Sequence, residues 1–413
     1  MRSAWVEVNL KAIEDNTRII KELVGKDVNI LSVVKADAYG HGLINSSWAT
    51  IRGGADLLGV AIVEEARELY NAGITTPILI LGCAFPDQSV EILEIGASAV
   101  VSYRECVEVL SKAALLLGEK AKVHVKVNTG MGRVGVRYDE AADFIQWVAS
   151  VPGIELEGIM THYATADYDD DTSLNTQYER FVSVLDEVKE KGINVKYIHS
   201  ANSAAIMFHP HTYFNTVRPG IMTYGQKPVP VASDIPPSHI AEGRAPLSSG
   251  RGQDKRLDLA KMRFIDPNNV GEQSKLFTVK LTPALALKAR IVQISRLYAG
   301  DAIGYGLTYR AKQDSVFAIL PVGYADGVSR SLSNSGFALI KEKRVPIIGR
   351  VSMDQTIVDI TGIEDIKIGD IATLIGGDGD ETITAWEVAL TMKTIAHEVL
   401  STLGVRLPRI YKF

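Results

Sequence analysis

The spacing of hydrophobic and polar positions changes once along this chain. Up to about residue 225, short apolar runs alternate with stretches of helical period. The runs predict strands at 29–34, 57–62, 78–81, 98–101, 122–127, 155–161, 195–199 and 214–218. Helices are expected at 10–24, 63–72, 104–117, 139–150 and 173–191. In LKAIEDNTRIIKELV the apolar residues fall at 10, 13, 20 and 23–24, on one helical face, and Asn9 stands where an N-cap belongs. Eight strands, each followed by a helical stretch, is the count of a (β/α)8 barrel. A doubly wound open sheet gives the same alternation.

The rhythm breaks at residue 226. Five of the 15 prolines fall within 228–246, followed by the polar stretch SSGRGQDKR. Residues 226–276 therefore read as a dispensable surface insertion or linker. From about 277 the pattern turns to strands, in FTVKLTPALALKARIVQI, SVFAILPVGYA, FALIKEKRVPIIGRVSMDQTIVDI and DIATLIGG. A single long helix, about 384–402, is expected to close the chain. The division is a barrel at 1–225, the insertion at 226–276, and a mostly β domain at 277–413.

Composition narrows the class. The chain has 413 residues and 44.9 kDa, enough for two or three domains of about 150 residues. A hydrophobic share of 46% with 23% charged residues excludes wholesale disorder. The net charge of −5 leaves no footprint for nucleic acid or an anionic membrane. Cys83 and Cys106 are too few for a disulfide framework or a cysteine-rich metal site. Residues 1–11 hold no apolar signal-peptide core, and no apolar run approaches about 18 residues. The expectation is a cytoplasmic protein that spans no membrane.

In a barrel, chemistry gathers at the C-terminal ends of the strands. The first strand ends at Lys35, ahead of ADAYGHG. Desolvation there lowers a lysine's pKa and makes its amine nucleophilic, although a lysine at a strand end also reaches solvent. The fifth strand carries Lys122, His124 and Lys126 on one face. That is anomalous for a strand buried on both sides, unless it is a solvated edge. The NTGMGRVG loop sets three glycines around Arg133, a residue suited to an anionic oxygen. The sixth strand ends at Thr161-His162, the seventh at His199, Asn202 and Ser203, and the eighth at Arg218 and Gly220. Hydroxyls and backbone N–H groups after strands seven and eight suit a phosphate.

A phosphate cradle facing a buried lysine suggests pyridoxal 5'-phosphate. No acid stands at the end of the eighth strand, where Arg218 does. Arginine cannot accept the N–H of a pyridinium, so the ring nitrogen stays unprotonated. Such a site favours brief loss and return of a proton. His209 and His211 in FHPHTY are too few to hold a metal, and none is expected.

With these residues assembled, the chain resembles the alanine racemases, fold-type III pyridoxal-phosphate enzymes. The resemblance spans nearly everything outside 226–276. It rests on VVKADAYGHG, VNTGMGRVGV, EGIMTHYATAD, HSANSAA, VRPGIMTYG, IGYGLTY, PVGYADG, GRVSMDQ and VRLPRIY, in that order. It implies that Lys35 holds the cofactor and is one base, with Tyr305 the opposite base. Tyr39, Asn202, Ser203, Gly220 and Ile221 would bind the cofactor chiefly at its phosphate. Arg218 would face the pyridine nitrogen, with His162 between Arg218 and Tyr305. Arg133 would contact the phenolic oxygen and the substrate carboxylate. Lys126 matches a position carbamylated in many relatives. Met353 and Asp354 would meet the substrate.

The resemblance also implies a homodimer whose sites take Tyr305 and Met353 from the other subunit, and D-alanine supply for peptidoglycan. One departure stands out. His397-Glu398 replaces the family's Tyr-Glu, so His397 would take the place of a tyrosine that touches the phosphate. A serine or broad-specificity racemase therefore stays open beside an alanine racemase. A basic-amino-acid decarboxylase would want an acid at the pyridine nitrogen and a cysteine in the β domain. A cofactor carrier would need no β domain.

Overall fold

The computed structural model describes residues 2–83, 85–231, 234, 261–263 and 279–413. Its N-terminal half is a closed barrel of eight parallel strands: β1 (Asn29–Val33), β2 (Leu57–Val60), β3 (Ile78–Cys83), β4 (Ser98–Val101), β5 (Ala121–Asn128), β6 (Ile154–Met160), β7 (Tyr197–Asn202) and β8 (Thr216–Arg218). Each strand pairs with the next in sequence, and β8 closes onto β1 through Thr216 opposite Asn29. The expected (β/α)8 barrel is present, and the open-sheet alternative is excluded by this closure. Its strands read as apolar runs because helices cover one face and the lumen the other. The lumen is filled by Leu31, Val33, Leu57, Leu79, Val100, Met160 and Tyr197.

The outer helices fall where their periodicity placed them, at Leu10–Val24, Val63–Asn71, Arg104–Leu117, Ala141–Ser150 and Thr172–Glu190. Asn9 caps the first, its side chain accepting the Ala12 N–H at 2.9 Å.

The C-terminal half is mostly β, as expected. Strand Leu285–Arg290 pairs with Ile371–Asp378 and also with Ala4–Asn9, which in turn takes Arg409–Lys412 in parallel. Thus the first strand of the chain lies in the β domain's sheet. A smaller sheet joins Gln293–Leu297, Ser315–Leu320 and Thr356–Asp359.

The single long helix expected at 384–402 is corrected. Two helices, Ala385–Met392 and Ala396–Ser401, are separated by Lys393 in a left-handed conformation (φ 59°). The Thr394 N–H turns back to the Ala389 carbonyl at 2.9 Å, and extended Ile395 redirects the chain. Nor does this helical region close the chain, which ends on strand Arg409–Lys412.

Of the expected insertion at 226–276, only 226–231, 234 and 261–263 are described; the remainder lies outside the described residues. What is described is anchored. Val229 is buried, the Trp386 indole donates to the Lys227 carbonyl, and the Thr384 hydroxyl donates to Asp234. Met262 bridges to Tyr168, and Arg263 pairs with Asp171.

Candidate active site

At the C-terminal mouth of the barrel lies a cavity of about 550 Å³. Lys35, one residue beyond Val34 after β1, lines it together with Tyr39 from the next turn. Lys126 from β5, Arg133 from the glycine-rich loop and His162 after β6 join them. Asn202, Ser203, Arg218, Gly220 and Ile221 come from the ends of β7 and β8. His397 enters from the helix Ala396–Ser401 of the β domain.

Tyr305, Met353 and Asp354 stand apart from this cavity. Tyr305 sits in the short turn Tyr305–Leu307 and is 70% exposed, while Met353 is 52% exposed. Asp354 pairs with Arg406 at 2.8 Å. A single chain therefore presents Lys35 and Tyr305 in different places.

The turn carrying Lys35 is unusual. Ala36, Asp37, Ala38 and Tyr39 all have φ between 53° and 55°, a left-handed turn without glycine. Lys35 is mostly buried, and its pKa is lowered by that burial and by the nearby Arg133 and Arg218. Some of its amine is thereby neutral under conditions that would protonate a free lysine. Tyr39 is buried against Tyr224, ring centroids 5.0 Å apart, and burial pushes its phenol up to about 12.

The floor of the cavity is polar and interlocked. Arg218 is 4% exposed. Its Nη1–H donates to His199 Nδ1 at 2.9 Å. Its Nη2 donates to the Thr161 carbonyl at 2.7 Å, the Ser200 carbonyl at 2.9 Å and His162 Nδ1 at 3.1 Å. Arginine has only donors, so both imidazoles must present lone pairs to it. Burial first, then Arg218, drives the pKa of His162 and His199 well down, and both rings are neutral. Burial also lowers Arg218 itself, to about 10. No carboxylate pairs with it among the described residues.

Lys126 turns inward on β5 beside this floor. Burial, Arg218 and Arg133 bring its ammonium down to about 8. The anomalous polar face of β5 is thus a lumen face, with His124 in the middle and Lys122 exposed at the far end.

Several features fit a phosphorylated pyridine cofactor. The Ser203 hydroxyl accepts the Gly220 N–H at 3.0 Å, leaving its own proton for a ligand. A Cβ at Gly220 would lie 2.5 Å from the Tyr39 hydroxyl, so only glycine lets that phenol and the backbone share the cradle. Nδ1 of His397 is buried without a partner at the cavity wall. Burial and Lys35 lower that imidazole to about 4. The lining therefore offers a nucleophilic amine, hydroxyl donors and a guanidinium. The Asn202 side chain is already engaged, capping the helix Ser203–Phe208 at the Ala205 N–H.

Sequence reasoning missed Glu157, buried in the middle of β6, and Asp167, which lines the cavity. An acidic residue inside a β-strand was the available marker for Glu157. His209 Nε2 approaches Asp171 at 3.5 Å, and His211 packs on Tyr178.

The family model described as "Alanine racemase, N-terminal domain" matches residues 8–228, and "Alanine racemase, C-terminal domain" matches 284–411. The chain is similar to alanine racemase 2 of Caldanaerobacter subterraneus subsp. tengcongensis, 39% identical over 412 residues, covering 100% of this chain and 95% of that protein. A solved alanine racemase from Bacillus anthracis with bound L-Ala-P is 35% identical, with TM-score 0.83 and coverage of 100% and 96%. The histidine racemase from Leuconostoc mesenteroides is 26% identical, with TM-score 0.81 and coverage of 100% and 98%.

Proposed function

The chain belongs to the alanine racemase family, and on that premise we propose that it interconverts L-alanine and D-alanine with pyridoxal 5'-phosphate held at Lys35. The observation that carries this reading is Lys35 itself: a buried amine with lowered pKa, facing Ser203, Tyr39 and Arg218 across one cavity. In this reading, Ser203, Tyr39 and the backbone at Gly220 and Ile221 hold the phosphate. Arg218 meets the pyridine nitrogen, and Arg133 takes the substrate carboxylate. The bound cofactor supplies an electron sink that acidifies the substrate's Cα–H.

The chain's own residues then move the proton. Lys35 Nζ holds or returns it on one face of the flattened Cα. Tyr305 Oη serves the opposite face, taking the proton from L-alanine, so the substrate need not turn over. A proton-accepting phenol carries its charge best beside a cation, so Tyr305 needs cationic help to act as a base. His162, held neutral and fixed as an acceptor by Arg218, stands ready to relay that charge.

Tyr305 lies exposed and away from Lys35. The reading therefore requires a homodimer, each site borrowing Tyr305, Met353 and Asp354 from the partner subunit. A cytoplasmic enzyme supplying D-alanine to peptidoglycan is the physiological role that follows. A serine or broad-specificity racemase is the second reading. It is favoured by His397 and by the histidine racemase that shares this fold.

Purified protein is expected to be yellow, to racemise L-alanine faster than L-serine, and to leave L-lysine untouched. Mixing inactive Lys35→Ala with inactive Tyr305→Phe under subunit exchange should restore part of the activity. Absence of racemisation with every amino acid refutes the activity. Proven heterodimers without recovery refute the shared site.

A further inference from the structure

The lumen beneath the cavity holds a line of buried polar side chains with no part in the proton transfers above. From strand to strand they are Glu157 on β6, His124 on β5, His199 on β7 and Arg218 on β8. We propose that Glu157, His124 and His199 are positioning residues that fix the guanidinium of Arg218 at the cavity floor, through hydrogen bonds all pointing from Arg218 toward Glu157. The proposal rests on the reading that Arg218 faces the cofactor.

The direction of every bond follows from the first. Arg218 can only donate, so His199 Nδ1 accepts from Nη1 at 2.9 Å. A neutral His199 then carries its proton on Nε2, which lies 2.8 Å from His124 Nδ1. His124 Nδ1 must accept that proton, so its own proton sits on Nε2. That atom lies 3.3 Å from Glu157 Oε2, an obligate acceptor when ionised. Ser98 on β4 donates to the same oxygen at 2.7 Å. No choice of tautomer is left open anywhere along the line.

Burial makes this order compulsory. His124, His199 and Arg218 are 0%, 0% and 4% exposed, so an unpaired donor or acceptor could not turn to water. Burial holds both imidazoles below their ordinary pKa, against a Glu157 contact that raises His124. Burial alone would raise the Glu157 carboxyl. The hydrogen bonds from His124 and Ser98 outweigh it and hold the group at about 2, ionised at neutral pH. Lys196, 3.8 Å from the other carboxylate oxygen and largely exposed, ties that end to the surface.

The arrangement has a chemical use. A carboxylate in direct contact with Arg218 would occupy the guanidinium fork and put an acceptor beside the cofactor. Two neutral rings placed between them let the buried negative charge answer the guanidinium without a carboxylate touching it. The rings also set the tilt of the guanidinium. Gly158 on β6 makes the line possible, since a Cβ there would lie 2.6 Å from His124 Cε1.

The test has a spectroscopic arm and a kinetic arm. Histidine 15N NMR of the wild-type chain, purified without cofactor, should show His124 and His199 neutral with the proton on Nε2, from about pH 5 to 8. This arm needs no variant and no activity. In the kinetic arm, His199→Leu removes the acceptor for Arg218 and should lower kcat about 10²-fold, the cost of a misplacement near 1 Å. The KM for alanine should stay within a few-fold.

His199→Gln, whose oxygen can accept from Arg218 and whose amide can donate to His124, should recover most of the loss. A proton on Nδ1 of either ring, or an imidazolium in this range, overturns the proposal. So does wild-type kcat in His199→Leu, or no recovery in a folded His199→Gln. If the wild-type chain racemises nothing, the functional reading fails while the tautomers remain to be read.

Discussion

Gly158→Ala isolates one contact inside the barrel. Gly158 lies mid-strand on β6, opposite His124 on β5, with no unusual backbone angle to explain a glycine. An added methyl would sit 2.6 Å from His124 Cε1 and 3.0 Å from Cγ, where about 3.4 Å or more is ordinary contact. The ring must shift by most of an ångström, more than its 2.8 Å bond to His199 can absorb.

Overpacking costs roughly 1–3 kcal/mol. Leaving the buried His199 Nε2–H without its acceptor costs roughly another 1–3 kcal/mol. Together these give about 2–6 kcal/mol. At about 2–4 °C per kcal/mol for a domain of this size, the expected fall in Tm is roughly 4–24 °C. Calorimetry of Gly158→Ala, His124→Ala and the double variant forms the cycle. In the His124→Ala background the methyl enters vacated space, and the added cost should vanish or turn slightly favourable. An equal cost in both backgrounds would place the damage in the strand backbone and refute the reasoning.

Three further predictions concern the cavity. Lys126 has a folded-state pKa of about 8 against 10.5 for an ordinary lysine, so between these values the unfolded chain binds more protons and stability rises with pH. Relative to Lys126→Met, the apo wild type should gain up to about 3 kcal/mol from pH 7 to 10.5 in chemical denaturation; a flat difference would mean that Lys126 carries no titrating amine, as a carbamate would not. His397→Tyr should lower the serine-to-alanine ratio of kcat/KM by about 10-fold or more, since filling a few atoms' width of entrance is worth about 1–3 kcal/mol, and an unchanged ratio would show that neighbours already fill the space. Arg409 donates to the carbonyls of Gly40, Leu403, Gly404 and Leu407, so Arg409→Ala should weaken cofactor retention roughly 10-fold, measured by dialysis against absorbance, with wild-type retention counting against its role.

The barrel was legible because burial on both faces writes a strand as an apolar run, and all eight runs became strands. Strand Ala4–Asn9 was not. Its partners lie at 285–290 and 409–412, and nothing local in AWVEVN announces them. The break at Lys393 was equally hidden, since a left-handed cap is normally marked by glycine or asparagine. Within the cavity, residues at strand ends were readable because a closed barrel gathers those ends at one mouth. Glu157 escaped because it lies in the middle of β6, at the step where that strand shifts register against β5, and its link to Arg218 exists only through the inward faces of β5 and β7. Tyr305, Met353 and Asp354 were recognisable as motifs. Their exposure agrees with what the resemblance implied for Tyr305 and Met353, but no residue pattern around them marks it.

The turn after Lys35 is held by the barrel and the β domain together. Four consecutive left-handed residues cost about 1–2 kcal/mol each, roughly 4–8 kcal/mol in all. The offset is assembled from several directions. Glu65 accepts the Ala36 N–H at 2.6 Å, and Asp37 accepts the Leu43 N–H at 2.8 Å. His41 bonds the Tyr39 carbonyl at 2.9 Å. The β domain closes the last side. Arg409 reaches Gly40 and Asp37, Leu400 packs so tightly that a Cβ at Gly40 would collide with its carbonyl, and Tyr411 does the same at Gly42. The helix that holds Leu400 also delivers His397 to the cavity, 6.0 Å from the Tyr39 ring. A barrel that only carried a cofactor would have no need of a strained turn stabilised by a second domain. Here the β domain holds the lysine's turn in shape through Arg409, Leu400 and Tyr411, while its own Tyr305 stays exposed.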